Sequence, residues 1–125
     1  MKTLPPQVQT AWETHEGPCA LATVDREGRP NVILVSGVRV FSDGTFVIAD
    51  NYMNKTRGNI DGGSSGALVF MTPDRKSYQI KGAFMYHTHG PHFDFMKSWN
   101  PAKYPGRGAV VLSVVQIFYG GEQLA

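Results

Sequence analysis

Short runs of alternating apolar and polar residues, punctuated by glycine and proline, make up most of the chain. The first segment differs: after Pro5-Pro6, Val8, Ala11, Trp12 and His15 fall at i, i+3, i+4 and i+7. That spacing, with proline tolerated in a first helical turn, predicts a short amphipathic helix ending at Gly17, anchored by Trp12. From Pro18 onward the period shortens to two. Residues 18–24 and 30–41 read as strands joined through the turn Asp25-Arg26-Glu27-Gly28, a hairpin. In the second of these, Val32, Leu34, Ser36, Val38 and Val40 share one face, and Asn31, Ile33, Val35, Gly37, Arg39 and Phe41 the other. The turn Ser42-Asp43-Gly44-Thr45 leads into a strand over 46–49. Residues 50–60 are polar and read as a loop entering one or two turns of helix. Strands over 67–71 and 77–88 flank a turn at Thr72-Pro73-Asp74-Arg75, the latter setting Tyr78, Ile80, Phe84 and Tyr86 on one face. A short helix follows over 91–99, stopped by Pro101, and the last strand, 109–119, is apolar on both faces.

Six strands joined mostly by hairpins, with little helix, predict an all-β, β-dominated α+β fold: a closed antiparallel barrel with a short N-terminal helix and one or two further short helices. In a monomeric barrel the outer face of the last strand is wetted and alternates with polar residues. An apolar outer face calls for a cover, most simply a second subunit, so a homodimer is expected. Gly37 and Gly82, inside strands, mark bends or close backbone approaches.

At 125 residues the chain is expected to form a single domain spanning 1–125, large enough to carry its own core. Hydrophobic residues are 42% and charged residues 18%, a globular composition rather than a disordered one. No run approaches the roughly 18 apolar residues of a membrane span, and the N-terminus has no apolar signal core, so a cytoplasmic protein is expected. The single cysteine, Cys19, excludes an internal disulfide framework and reads as a small buried hydrophobe. The net charge of +2 is dispersed, which argues against nucleic acid as a partner but leaves room for one anionic ligand.

The most informative segment is the one after the 46–49 strand, Asp50-Asn51-Tyr52-Met53-Asn54-Lys55-Thr56-Arg57. A lysine beside a hydroxyl at a helix start can hold a phosphate: a compact charge, a hydrogen-bond donor and the unpaired backbone N–H groups lie together. The same residues also suit an ordinary helix start with solvated charges. His87, His89 and His92 raise the possibility of a metal site, but His92 lies beyond a Gly-Pro turn and only Asp94 is near to complete a shell. No metal ligand is assigned. Gly62-Gly63-Ser64-Ser65-Gly66 fits the nucleophile-elbow pattern in the wrong context, with a helix before it and a strand after it. No side chain stands out as a general acid or base.

The order helix, hairpin with Gly28-Arg29-Pro30, Asp-Gly turn, Phe46-Val47-Ile48-Ala49 strand and Asn54-Lys55-Thr56-Arg57-Gly58-Asn59-Ile60 resembles the FMN-binding split-barrel family related to pyridoxamine 5′-phosphate oxidase, and within it the small single-domain FMN-binding proteins. The resemblance covers nearly the whole chain and is least familiar over 87–107. It implies a six-stranded split barrel, a homodimer with FMN at the subunit interface, and redox transfer by the flavin. Lys55 and Thr56, with Asn54 before them, would contact the phosphate. Ile33, Leu34 and Val35 would run along the isoalloxazine ring through backbone groups, and Ala49, Asp50 and Asn51 would border ring and ribityl chain. Gln123 and Leu124 would close the partner's pocket. Phe93, Phe95, Trp99 and Tyr104 could line or cover the flavin face and equally suit the core. The chain ends at Ala125 without the C-terminal extension of the vitamin oxidases, so that activity is not carried over. Same-fold alternatives are a deazaflavin F420- or haem-linked reductase, or a cofactor-free dimeric binding module.

Overall fold

A computed structural model describes residues 3–125. Helix α1 (Pro6–Thr14) forms where the 3.6-residue period lies, with Pro6 in its first turn and Val8 and Ala11 buried. Trp12 holds it to the core by edge-on contacts with Phe46 and Phe70, both at 5.1 Å between centroids. Then come β1 (Cys19–Val24), β2 (Pro30–Val35), β3 (Val38–Val40), β4 (Phe46–Asp50), α2 (Lys55–Asp61), β5 (Ser65–Met71), β6 (Ser77–His87), α3 (Pro91–Trp99), β7 (Gly108–Tyr119) and β8 (Glu122–Gln123).

All strand pairs are antiparallel, in the order β2-β1-β5-β6-β7-β4-β3, with β8 attached to β7. The eight strands of the described residues replace the six expected. One difference comes from the 30–41 run, which is two strands rather than one. Val38 N–H donates to Ser36 O at 3.0 Å, a tight kink, and Gly37 O accepts from Ala49 N–H at 2.9 Å. β2 pairs with β1 and β3 with β4, at opposite ends of the strand order, so one straight strand could not serve both. Because only Ser36 and Gly37 join those two end strands, the sheet must curl back on itself into a half-barrel. The other extra strand is the two-residue β8, too short to carry a periodic signal.

The inside of the curl holds the main core, with Leu21, Phe46, Leu68, Ile80, Leu112 and Ile117 wholly buried. A second, smaller cluster lies on the other face of β4 and β7: Val47, Ala49, Ala109 and Val111 pack against Met96 of α3, flanked by Phe93, Phe95 and Trp99. This corrects the reason given for a dimer. The two-faced apolar pattern at the start of β7 has its cover in α3 of the same chain. Gly82 is required by a register shift between β6 and β7, since a Cβ there would fall 1.8 Å from Ser113 O. Cys19 is buried as expected, and burial pushes its thiol up to about 11. No helix of the described residues is long and apolar enough to cross a membrane.

Candidate functional site

A cleft of about 600 Å³ opens beside the free edge of β2, within the size range of small-molecule sites. Its walls are β2 with Gly37 and Arg39 on one side, the 51–56 segment on the second, and Trp99, Asn100, Pro101 and Tyr104 on the third. Ile33, Leu34, Val35, Ala49, Asn51, Asn54, Lys55 and Thr56, eight of the eleven residues singled out in the sequence, line it. Trp99 and Tyr104 line it too, whereas Phe93 and Phe95 belong to the second core cluster. The missed wall residues are chiefly Arg39, Tyr52, Met53 and Asn100. The only local mark of the last was the Asn100-Pro101 helix stop.

Three of the eleven lie elsewhere. Gln123 is on β8, folded back against Phe118 of β7, and Leu124 packs on the main core, with its N–H bonded to Ile117 O at 2.8 Å. Asp50 is 0% exposed and faces away from the cleft. Its Oδ1 accepts from Met53 N–H at 2.9 Å and from Arg107 at 3.0 Å, and its Oδ2 from the Tyr86 hydroxyl at 2.6 Å. Arg107 also donates to Met53 O at 2.6 Å, so the carboxylate and the guanidinium grip the same turn of chain. Arg57 lies 3.7 Å over the Tyr86 ring and 3.8 Å from Asp50. Burial, then the bond to Asp50, pushes the Tyr86 phenol up to about 12. Gly108 makes room for this ring, because a Cβ there would lie 2.3 Å from it. Asp50 thus fixes the path of the 51–54 loop that delivers Lys55 and Thr56.

Those two residues contrast with it. Lys55 is exposed and pairs with no acid among the described residues. Thr56 is 2% exposed, and its Oγ1 accepts from the Asn31 side-chain amide at 3.1 Å. With that lone pair used, the hydroxyl proton remains to be donated. No side chain caps α2, so its first N–H groups are not consumed by Asn54. Across the cleft, Asn51 and Asn100 exchange amide hydrogen bonds at 2.9 and 3.3 Å, and Asn51 Oδ1 also accepts from Gly106 N–H. The pair ties the loop before α2 to the wall after α3. Trp99 Nε1 is buried with no partner among the described residues, although other atoms of the residue line the cleft.

The histidines do not converge on one point. His92 Nε2 pairs with Asp43 Oδ2 at 2.8 Å and its ring stacks on His87 at 5.2 Å, while His89 is exposed. α2 precedes Gly62 and β5 follows it, the order opposite to a nucleophile elbow.

Comparisons agree with this architecture. Residues 4–119 match the pyridoxamine 5′-phosphate oxidase family. An uncharacterized protein of Methanocaldococcus jannaschii is 32% identical over 103 residues, 78% of this chain and 69% of that protein. Among solved structures, Group A Streptococcus HupZ superposes with a TM-score of 0.85 at 22% identity, covering 98% of this chain and 100% of that one. An FMN-binding protein from Syntrophomonas wolfei gives 0.72 at 22%, over 81% of this chain and 75% of that one. The same fold carries other ligands elsewhere: an F420 reductase (0.70, 15%, 92% and 98%) and a heme binding protein from Mycobacterium smegmatis (0.68, 14%, 89% and 51%). At these identities the structures speak for the fold. With the family match over almost the whole chain, the split-barrel sheet and the cleft at its open edge, the protein belongs to the pyridoxamine 5′-phosphate oxidase family of split barrels.

Proposed function

We propose that this chain is an FMN-binding flavoprotein engaged in electron or hydride transfer, working as a homodimer with the flavin at the subunit interface. The observation that carries the reading is the Lys55–Thr56 pair at the cleft: an unpaired ammonium beside a buried hydroxyl whose proton is uncommitted. The residues fit the group. Lys55 supplies charge and Thr56 a donor for a phosphate monoester. β2, an edge strand, offers unpaired backbone N–H and C=O groups along Ile33, Leu34 and Val35, as polar ring edges need. Bound there, a flavin supplies the redox chemistry, and the protein supplies its binding, orientation and surroundings.

Asn31 holds the Thr56 hydroxyl in place, and the Asn51–Asn100 pair keeps the third wall against the loop. F420 also carries a phosphate and could use the same pair. No histidine or cysteine among the described residues lines the cleft, which favours a flavin over a haem ligated by either residue. The dimer reading rests on the outer face of the sheet, which meets the cleft at Leu34. Val32 and Leu34 of β2 are 63% and 71% exposed, and Met85 of β6 is 60% exposed. With Val24 and Val115 these form an outer sheet surface apolar enough to need a partner. Gln123 and Leu124 would join a flavin site only through that dimer, because in their own chain they lie on or beside β8.

Titration of the purified protein with FMN, followed by loss of flavin fluorescence, tests the reading, with F420 and haem as competitors. Saturable uptake of one FMN per chain is the expected result. Tighter binding of F420 or haem, or no uptake of FMN, would overturn it.

A further inference from the structure

Thr56 lines the cleft, but the side chain that holds its hydroxyl, Asn31, does not. We propose that Asn31 is a positioning residue for the Lys55–Thr56 site. Its amide sets which way the Thr56 hydroxyl points its proton, and so makes the site prefer a phosphate monoester to the bare hydroxyl of an unphosphorylated ligand. That the phosphate belongs to a flavin rests on the flavin reading, while the polarity of the site rests on geometry.

Two side-chain bonds of the same kind hold α2 to the β1–β2 hairpin. Thr23 and Asn31 are direct partners across that hairpin, so their side chains leave from one face. Thr56 and Asn59 lie three residues apart on α2 and share one side of the helix. Asn59 donates an amide N–H to Thr23 Oγ1 at 3.0 Å, and Asn31 donates one to Thr56 Oγ1 at 3.1 Å. Each strand residue thus meets one helix residue, with amide and hydroxyl changing sides between the two bonds. Both hydroxyl residues are buried, Thr23 at 3% exposed and Thr56 at 2%.

The two bonds differ in what lies beyond them. The Asn59–Thr23 bond, beside Ile60 in the main core, docks the helix without reaching the cleft. The Asn31–Thr56 bond falls on a buried hydroxyl that lines the cleft. A hydroxyl has one proton to give and two lone pairs. With the Asn31 N–H on one lone pair, the proton is directed away from Asn31 and left for an acceptor in the cleft. An oxygen at that point would take the proton instead and turn lone pairs toward the ligand, which a phosphate cannot use. Docking explains the bond between Asn59 and Thr23. One turn back, docking is already supplied, and what the Asn31 amide adds is the direction of the Thr56 proton.

The test is the preference for FMN over riboflavin, measured as a ratio of dissociation constants for the wild type, Asn31→Asp, Thr56→Val, their double variant and Asn59→Leu. Asn31→Asp keeps the side-chain size and a bond to Thr56 but offers only acceptor oxygens, so it should lower the preference by about tenfold or more. In the Thr56→Val background the same change should lower it by less than about threefold, since only the charge of the new carboxylate remains to act. Asn59→Leu breaks the docking bond alone and should leave the preference within about twofold. Riboflavin affinity, which does not involve the phosphate, checks that each variant keeps its fold. An unchanged preference in Asn31→Asp, an equal loss in both backgrounds, or a loss from Asn59→Leu as large as that from Asn31→Asp would overturn the positioning role. A wild type with no preference for FMN would instead overturn the flavin reading. Phenyl phosphate, followed by the Thr56 backbone N–H resonance of flavin-free protein, then takes the place of FMN in the same cycle, and binding that is absent or independent of Asn31 overturns the positioning role as well.

Discussion

Asp50 and Lys55 are charged residues five positions apart at the two ends of one loop, and their surroundings are opposite. Asp50 is fully buried, and both of its carboxylate oxygens are taken by Tyr86, Arg107 and the Met53 N–H. Lys55 stands at the cleft with no acidic partner among the described residues. A buried charge persists only when its neighbours satisfy it, so Asp50 reports on the fold. A charge that folding leaves unsatisfied in a concave site is available to a ligand, so Lys55 reports on function. The two are coupled, because Asp50 sets the loop that presents Lys55.

The widest separation between them should come from deleting each side chain. Asp50→Ala strands the Tyr86 hydroxyl, the Met53 N–H and the Arg107 guanidinium, and should cost about 3–5 kcal/mol of folding stability. Lys55→Ala should change stability by less than about 0.5 kcal/mol, as for other exposed positions. Urea denaturation of both variants checks the contrast, and equal losses would erase it.

A smaller effect tests how the buried network is housed. Gly108→Ala puts a methyl group 2.3 Å from the Tyr86 ring, so the ring must leave Asp50. The cost should be about 1–3 kcal/mol, the range for overpacking. In a double-mutant cycle with Tyr86→Ala it should be far less than additive, since the ring is what the methyl group strikes.

The smallest effect is in the alkaline range. The folded-state pKa of Tyr86, about 12, lies above its ordinary value near 10. Its neutral form is favoured by folding, so its contribution is complete below about pH 10 and is lost as pH rises through 12. Cys19, at about 11, acts in the same direction. The difference between the wild type and Tyr86→Phe isolates the tyrosine: their stabilities should converge between about pH 10 and 12, and parallel curves would contradict the assignment.

Features encoded by neighbouring residues were legible before folding. The Asp25–Gly28 and Ser42–Thr45 turns, the proline-started helices and the Lys55-Thr56 dipeptide each depend on a few adjacent side chains, and each element is found where its local signal lies. Features set by distant contacts were not. Nothing in an alternating run distinguishes one strand over 30–41 from two, because the break is imposed by β1 and β4 claiming its halves. Asp50 resembles a cofactor-side residue by position, yet its fate is decided by Tyr86 and Arg107, 36 and 57 residues away. The apolar second face of β7 was legible, but the identity of its cover, α3, depends on how the α3 segment folds back. Arg39 gave no signal because only the Ser36-Gly37 kink brings it to the cleft wall.

The central claim is that Lys55 and Thr56 hold the phosphate of a flavin, and comparing FMN with riboflavin tests it most directly, since the two differ by that phosphate alone. Dissociation constants for both, measured on the wild type and on Lys55→Ala at moderate salt, should show FMN binding to the wild type at least tenfold tighter, with the gap largely closed in the variant by a loss of about 1.5–3 kcal/mol toward FMN. Equal affinity of the wild type for FMN and riboflavin, or a preference for FMN that survives Lys55→Ala, would contradict the account.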